Sequence, residues 1–340
     1  MEGAYTTQRN YQEADKIVAE WAKGKTAKQV EVLEKRLHRV REEKELDEIT
    51  DEEMDFAQAM ADDTSESFVF EGLSTGYKSI DDYLLGVKPG DVIMLGGYTN
   101  LGKSTVSLDW CFNFAQQGAN VLYFALEDNE REMNSRGKAL LKGRGKTPQD
   151  MKTWKGKFYR YPMAKKLNFF RNKFGIIPAI EALALTRNVQ VVCLDMLNDI
   201  VDPVNDKDAD DFMVALKEMC DRLNLILLAT TRLREPKGLT KQAQWRERFA
   251  PDEDAIYGRG MIKYLATKII TIAQSANHEA GVKVGFSGVE THYISLSVCK
   301  NRTGGNTKRE NKVITLQFDR GQQLGMKYKD LGAEGLPDVR

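Results

Sequence analysis

Cysteine and histidine are scarce in this sequence, with four cysteines and three histidines among 340 residues. The cysteines are scattered through apolar segments and no CxxC pair occurs, so neither a disulfide framework nor a zinc site is predicted. We expect buried thiols at Cys111, Cys193, Cys220 and Cys299.

Long hydrophobic runs are also missing from the chain. No apolar run reaches the roughly 18 residues that a membrane-spanning helix needs. The first residues, MEGAYTTQRNYQEADK, lack the layout of a signal peptide. We therefore expect a cytoplasmic protein without a membrane partner.

The chain lacks a net charge, because 50 basic side chains balance 50 acidic ones. The two signs are nevertheless segregated along the sequence. Residues 42–63 contain eleven acids and one lysine, whereas residues 136–173 contain thirteen Lys and Arg and one Asp. A neutral total therefore does not exclude a nucleic-acid partner, since one face can still be basic.

Hydrophobic periodicity divides the chain into an N-terminal extension and a larger domain. Residues 10–46 have apolar side chains at spacings of three and four, which predicts helix. The acidic stretch that follows offers little to bury and is interpreted as a linker. The predicted divisions are a helical extension over 1–46, an acidic linker over 47–67, a main domain over 68–325 and a C-terminal tail over 326–340.

Strands and helices alternate in the main domain, which predicts an α/β fold. Its short apolar runs are typical of strands buried on both faces, and helical segments separate them. This order favours a mostly parallel, twisted sheet with helices on both faces. The predicted parallel strands are DVIMLGG, NVLYFAL, VQVVCLD and LILLATT. Three later, closely spaced segments are predicted to extend the sheet antiparallel, namely KIITIAQ, YISLSVC and KVITLQF.

Residues 97–104, GYTNLGKS, match the phosphate-binding loop G-x-x-x-x-G-K-[ST]. The match lies between a predicted strand and a predicted helix, where backbone N–H groups can point at phosphate oxygens. Lys103 adds charge at the β- and γ-phosphates, and the Ser104 hydroxyl is a ligand for Mg²⁺. We predict that the chain binds ATP or another nucleoside triphosphate with Mg²⁺. The predicted nucleotide-binding residues are Gly97, Tyr98, Thr99, Asn100, Leu101, Gly102, Lys103, Ser104 and Thr105.

Two carboxylates at the ends of predicted strands are candidates for metal binding and catalysis. Asp195 ends VQVVCLD, the position at which P-loop enzymes hold their metal, although an aspartate there can also cap the next element. Glu127 closes NVLYFALE and could orient or deprotonate the attacking water. Asp128 is a rival for that role.

Together with the phosphate loop, these segments resemble the hexameric replicative DNA helicases of the DnaB type, which have a RecA-like core. The resemblance covers residues 70–325 and favours Glu127 as the catalytic carboxylate. It implies a ring in which nucleotide is hydrolysed between subunits. The residues that carry it are STGYKSIDDYLLGVKPGDVIMLGGYTNLGKST, VLYFALEDNEREMNSR, VVCLDMLNDI and SVCKNRTGG.

The resemblance assigns roles to three further positions. Lys300 and Arg302, in SVCKNRTGG, would act in trans as fingers on the γ-phosphate that the neighbouring subunit binds. The residues after LILLA are Thr230 and Thr231, where bacterial members carry Ser-Gln with a phosphate-sensing glutamine. Thr231 occupies the sensor position with a shorter polar side chain.

The segment 232–263 is the predicted contact with single-stranded DNA. It contains eight Lys and Arg against five acids, and sequence-independent phosphate contacts suit a translocating motor. A solvated surface insertion is the alternative. The basic stretch 136–173 is interpreted either as a path for the displaced strand or as a solvated surface. The candidate DNA-binding residues are Lys237, Lys241, Arg246, Arg248, Arg259 and Lys263.

The sequence thus predicts a ring-forming, ATP-dependent DNA helicase that translocates on single-stranded DNA. A hexamer is expected, with primase, polymerase or a helicase loader as further partners. The predicted N-terminal helix would dock on an adjacent subunit or pack on its own core. Two alternatives remain open, a strand-exchange recombinase with the same core and a regulatory ATPase of the circadian-clock type.

Overall fold

A computed structural model gives the fold of the main domain. The predicted helical extension over 1–46 and the acidic linker over 47–67 lie outside the residues that it describes. The described residues are 72–161, 175–202, 208–234, 249, 251–258, 260–275, 283–284, 289–302 and 312–335.

Ten strands within the described residues form one sheet. They run in the order β10-β9-β8-β6-β1-β5-β4-β2-β3, and β7 pairs with β8 outside this path. The strands are β1 (Val92–Gly97), β2 (Val121–Ala125), β3 (Phe158–Arg160), β4 (Val191–Asp195), β5 (Ile226–Arg232), β6 (Lys268–Gln274), β7 (Lys283–Val284), β8 (Glu290–Asn301), β9 (Lys312–Gly321) and β10 (Gly325–Gly335).

Six neighbouring strands, β6-β1-β5-β4-β2-β3, are parallel, as the alternation of strands and helices predicted. The expectation that β6 would be antiparallel was wrong, because β6 pairs in parallel with β1. The chain between β5 and β6 is a long crossover, and such a connection returns the chain to the edge from which it started. Strands β8, β9 and β10 do extend the sheet antiparallel.

Helices cover both faces of the sheet, as predicted. Residues of β1 alternate between the two hydrophobic cores: Ile93 and Leu95 belong to one, Val92 and Met94 to the other. The first core includes residues of α1, α2 and α3, and the second includes residues of α4, α5 and α6. The helices are α1 (Lys78–Leu84), α2 (Lys103–Gln117), α3 (Glu130–Gly143), α4 (Ile176–Arg187), α5 (Ala209–Arg222) and α6 (Gly260–Leu265).

The predicted C-terminal tail over 326–340 was wrong for residues 326–335, which belong to strand β10. A turn ending at Gly325, whose φ is +79°, folds the chain back so that β10 pairs with β9. Tyr328 on this strand is buried against the core. The domain therefore continues beyond its predicted end at residue 325.

The cysteines agree largely with the expectation of buried thiols. Cys111, Cys193 and Cys220 are buried, and Cys299 is half-buried. Burial raises the pKa of the Cys220 thiol to about 12. Among the described helices, none combines the length and the apolar character that crossing a bilayer demands.

Candidate functional site

The predicted phosphate loop connects the end of β1 to the start of α2. Gly97 is the last residue of the strand, and Lys103 is the first of the helix. Gly102 has φ +85°, a left-handed conformation that glycine adopts without strain. At Gly97 a Cβ atom would lie 2.9 Å from Cγ of Lys103, so the loop leaves no room for a side chain there.

Lys103 lies inside the loop, with its ammonium group donating to the carbonyl of Tyr98 at 3.0 Å. Burial lowers the pKa of Lys103, while the negative charges of Asp195 and Glu127 raise it. The two predicted carboxylates are therefore close enough to act on the phosphate-binding lysine electrostatically.

Asp195 accepts hydrogen bonds from three side-chain hydroxyls at the end of β4. Tyr123 donates at 2.7 Å, Thr230 at 2.6 Å and Ser104 at 3.1 Å. Burial raises the pKa of Asp195, and these three hydrogen bonds lower it. Tyr123 and Thr230 were missed in the sequence, although a tyrosine in an otherwise apolar strand was a signal that its hydroxyl needs a buried partner.

The oxygens of Ser104 and Asp195 suit Mg²⁺ chemically. Their contact at 3.1 Å brings a hydroxyl and a carboxylate together beside the phosphate loop. Mg²⁺ prefers hard oxygen ligands and commonly binds through one or two protein groups plus phosphates. The residues present therefore fit the predicted metal.

Glu127 and Asp128, the two rivals for the catalytic carboxylate, have different surroundings. Asp128 forms an ion pair with Arg136. The side chain of Glu127 is exposed, and its backbone N–H lies 3.4 Å from the Asp195 carbonyl. Because Asp128 is already paired, the geometry favours Glu127 as the group that can reach a water molecule.

Thr231, the predicted sensor, does not contact Asp195. Its hydroxyl donates to the side-chain oxygen of Asn198 at 2.9 Å, and the same oxygen accepts the backbone N–H of Arg232 at 2.9 Å. The preceding Thr230 is the threonine that meets Asp195. The end of β5 is thus connected to the segment after β4 through Asn198.

A cleft of about 550 Å³ opens beside the phosphate loop. Its walls come from the loop, from Arg136 on α3 and from strands β8, β9 and β10. Tyr328, which lay in the predicted tail, is thus part of the nucleotide region. The lining residues include Asn100, Gly102, Thr105, His292, Tyr293, Phe318, Arg320 and Tyr328.

The predicted fingers lie at the opposite edge of the sheet from the phosphate loop. Lys300 pairs with Ile269 near the start of β6, and the Arg302 N–H donates to the Thr267 carbonyl at 2.9 Å. The phosphate loop follows the other end of β1, about 16 Å away along an extended strand. Arg302 therefore lies away from the phosphate loop of its own protomer.

Asn301, between the two fingers, was not recognised in the sequence. Its side-chain amide donates to the carbonyls of Tyr83 at 2.9 Å and Leu84 at 3.3 Å. Alternation along the strand sends Lys300 and Arg302 to the other side. Asn301 thus anchors the end of β8 to the end of α1.

Of the six candidate DNA-binding residues, only Lys263 lies within the described residues. It forms an ion pair with Asp254 at 2.7 Å. In the basic stretch, Arg144 pairs with Asp109 and Arg160 pairs with Glu130. Residues 162–174 of that stretch, like Lys237, Lys241, Arg246, Arg248 and Arg259, lie outside the described part of the chain.

A comparison with family models identifies the chain. The model described as AAA domain matches residues 57–236, which is more than half of the sequence. The chain belongs to the AAA domain family. No curated protein matches this AAA domain protein in sequence.

Solved structures resemble this AAA domain protein at low sequence identity. A DnaB-like replicative helicase has a TM-score of 0.58 at 14% identity, with 95% of this chain and 76% of that one covered. A separately solved ATPase domain has a TM-score of 0.54 at 12% identity, with coverage of 82% and 96%. The KaiC-like protein PH0186 of Pyrococcus horikoshii OT3 reaches 0.50 at 14% identity, with coverage of 76% and 98%.

These likenesses confirm the resemblance to the DnaB type at the level of fold. The protein is a P-loop NTPase with a RecA-like core, a large mostly parallel sheet flanked by helices. Identities of 12–14% carry the fold alone.

Proposed function

We propose that this AAA domain protein is an ATP-dependent replicative DNA helicase that forms a ring, most simply a hexamer, and translocates on single-stranded DNA. The observation that carries the proposal is the separation of the phosphate loop and Arg302 to opposite edges of one sheet. A complete active site then needs two protomers, one supplying the loop and the next supplying the finger.

Each residue of this shared site has a role that follows from its chemistry. Lys103 and the loop amides bind the phosphates, and Ser104 and Asp195 hold Mg²⁺. The metal, when bound, neutralises charge on the phosphate oxygens. Glu127 accepts a proton from the attacking water. Arg302 of the neighbouring protomer, with Lys300 beside it, stabilises charge on the transferred group, which is worth about 10³- to 10⁵-fold in rate.

The cleft beside the loop supports nucleotide binding further. It continues from Gly102 and Thr105 to a wall of aromatic side chains, including Tyr293 and Phe318. Aromatic rings and a few polar groups are the usual lining of small-molecule sites. We place the base and ribose of the nucleotide there.

Single-stranded DNA is the proposed track, contacted by the segment 232–263. Lys263 on α6 and the basic residues of that segment suit a phosphate backbone. A DnaB-like helicase of related fold interacts with primase, so primase, a polymerase or a helicase loader are proposed partners here. The proposed setting is replication in the cytoplasm.

A regulatory ATPase that acts on proteins is the second candidate. The likeness to the KaiC-like protein PH0186 favours it, since that fold matches 76% of this chain. The two candidates differ in their response to DNA, because only a motor on nucleic acid should hydrolyse ATP faster when single-stranded DNA is present.

The first test measures ATP hydrolysis against protein concentration, with and without single-stranded DNA. Activity per protomer should rise with concentration, because the site forms only between subunits, and DNA should raise it further. Turnover that ignores DNA would favour the regulatory ATPase. Electron microscopy with an ATP analogue and DNA adds a second criterion, since filaments in place of closed rings would favour a recombinase.

The second test replaces the finger. Arg302→Ala should lower kcat by about 10³-fold or more while leaving nucleotide affinity nearly unchanged, since the residue acts on the transition state. Arg187→Ala, at the exposed end of α4, is the matched control. Full activity of the Arg302 variant would contradict the shared site.

A further inference from the structure

The end of helix α6 holds both fingers. Lys300 donates through Nζ to the Lys263 carbonyl at 2.5 Å and to the Tyr264 carbonyl at 3.3 Å. Arg302 donates through Nη2 to the Tyr264 carbonyl at 2.6 Å. The last carbonyls of a helix lack intrahelical partners and attract cations, so this end is a natural support for two positive side chains.

Tyr264 contacts Arg302 twice, with its backbone and with its ring. The guanidinium carbon lies 5.2 Å from the ring centroid, within the range of a cation–π interaction. The carbonyl fixes one edge of the guanidinium, and the ring restricts the orientation of its plane. A guanidinium has five N–H donors in a rigid fork, so donors remain for a phosphate.

The exposure of Tyr264 agrees with a role at a surface. The side chain is 65% exposed, the largest value among the exposed large hydrophobic residues of the described chain. An open cleft of about 470 Å³ lies beside it, lined also by Lys263, Lys300 and Glu253. Two lysines and one glutamate leave this cleft with an excess of positive charge, to which Arg302 adds.

We propose that Tyr264 is a positioning residue, which holds the Arg302 guanidinium ready for the terminal phosphate of a nucleotide bound by the neighbouring protomer. The proposal rests on the proposed function, because it requires Arg302 to act in trans. The phenol hydroxyl takes no part in either contact, so the ring and the backbone carry the effect.

The experiment compares Tyr264→Ala with Tyr264→Phe in the full-length chain, after assembly of each has been verified. Loss of the ring should lower kcat by about 10- to 100-fold, the cost of a small misplacement of a catalytic group, with KM and nucleotide affinity unchanged. Tyr264→Phe should restore kcat to within about twofold, because the ring is kept. Leu185→Ala, which removes another exposed apolar side chain on α4, is the control that should leave kcat unchanged.

Mixed assemblies separate positioning in trans from a local folding effect. Protomers carrying Lys103→Ala cannot bind phosphate but keep an intact finger, whereas Tyr264→Ala protomers keep an intact phosphate loop. Mixing the two should give more activity than the sum of the separate variants, because some interfaces then combine both intact halves. Absence of any gain would overturn the proposal.

The same mixture made with Arg302→Ala protomers distinguishes the two levels of the argument. A gain with Arg302→Ala and none with Tyr264→Ala would leave the shared site standing and reject the role of Tyr264. An unchanged kcat for Tyr264→Ala would do the same. Full activity of Arg302→Ala alone would remove the proposed function and this inference together.

Discussion

At the scale of single residues, Asp195 shows how far sequence reasoning reached. The carboxylate and Ser104 were predicted from their places beside a strand and a phosphate loop, and the structure brings them within 3.1 Å. Tyr123 and Thr230, which also donate to Asp195, lie on the strands either side of β4. Such contacts depend on strand order and register, which local patterns do not contain.

Tyr123→Phe is predicted to shift the acid limb of the pH profile to higher pH. Burial raises the pKa of Asp195 and the Tyr123 hydroxyl lowers it, so removing the hydroxyl raises that pKa further. Asp195 works as the ionised carboxylate, and a higher pKa means that it is protonated earlier as the pH falls. The measurement is Mg²⁺-dependent ATP hydrolysis against pH.

Tyr159→Phe is the control for this experiment, because Tyr159 lies on β3 and packs against the other core. Its acid limb should match that of the unmodified protein. An acid limb of Tyr123→Phe at the original position would show that the Tyr123 hydroxyl does not tune Asp195.

At the scale of elements, strand β10 is the part that sequence reasoning assigned wrongly. Its residues GMKYKDLGAEG contain few apolar side chains and three glycines, so they gave a weak strand signal. Pairing with β9 supplies the order that the local sequence does not specify. The long apolar strands and the phosphate loop were predictable, because burial on both faces and a strict motif leave clear patterns.

Tyr328→Ala should test whether β10 is part of the core. Tyr328 is 8% exposed and meets Phe318 at a ring distance of 4.7 Å, so truncation should lower the free energy of unfolding by about 3–5 kcal/mol. Leu324→Ala, in the exposed turn before β10, should change it by less than about 0.5 kcal/mol. Chemical denaturation measures both. Equal stability of the two variants would return residues 326–335 to the status of a tail.

At the scale of the whole molecule, the proposed shared site couples nucleotide binding to assembly. A nucleotide contacted by two protomers must strengthen their association, and by linkage association must strengthen nucleotide binding by the same factor. The sheet makes this coupling direct, because β8, β6 and β1 are hydrogen-bonded neighbours that join the two halves of the site within one protomer.

Sedimentation velocity with a non-hydrolysable ATP analogue checks this coupling. The analogue with Mg²⁺ should shift the protein toward larger species, and Arg302→Ala should remove most of the shift. Arg187→Ala should keep it. An identical shift in both variants would indicate that assembly does not involve the finger.

The placement of the two half-sites at opposite edges also determines the kind of polymer that the chain can build. Contact between unlike surfaces is head-to-tail, and nothing in such a contact fixes the number of copies. The rotation between successive copies alone decides between closure and an open spiral with a pitch. A small change in how β8 and α6 present the fingers would therefore be enough to change one form into the other.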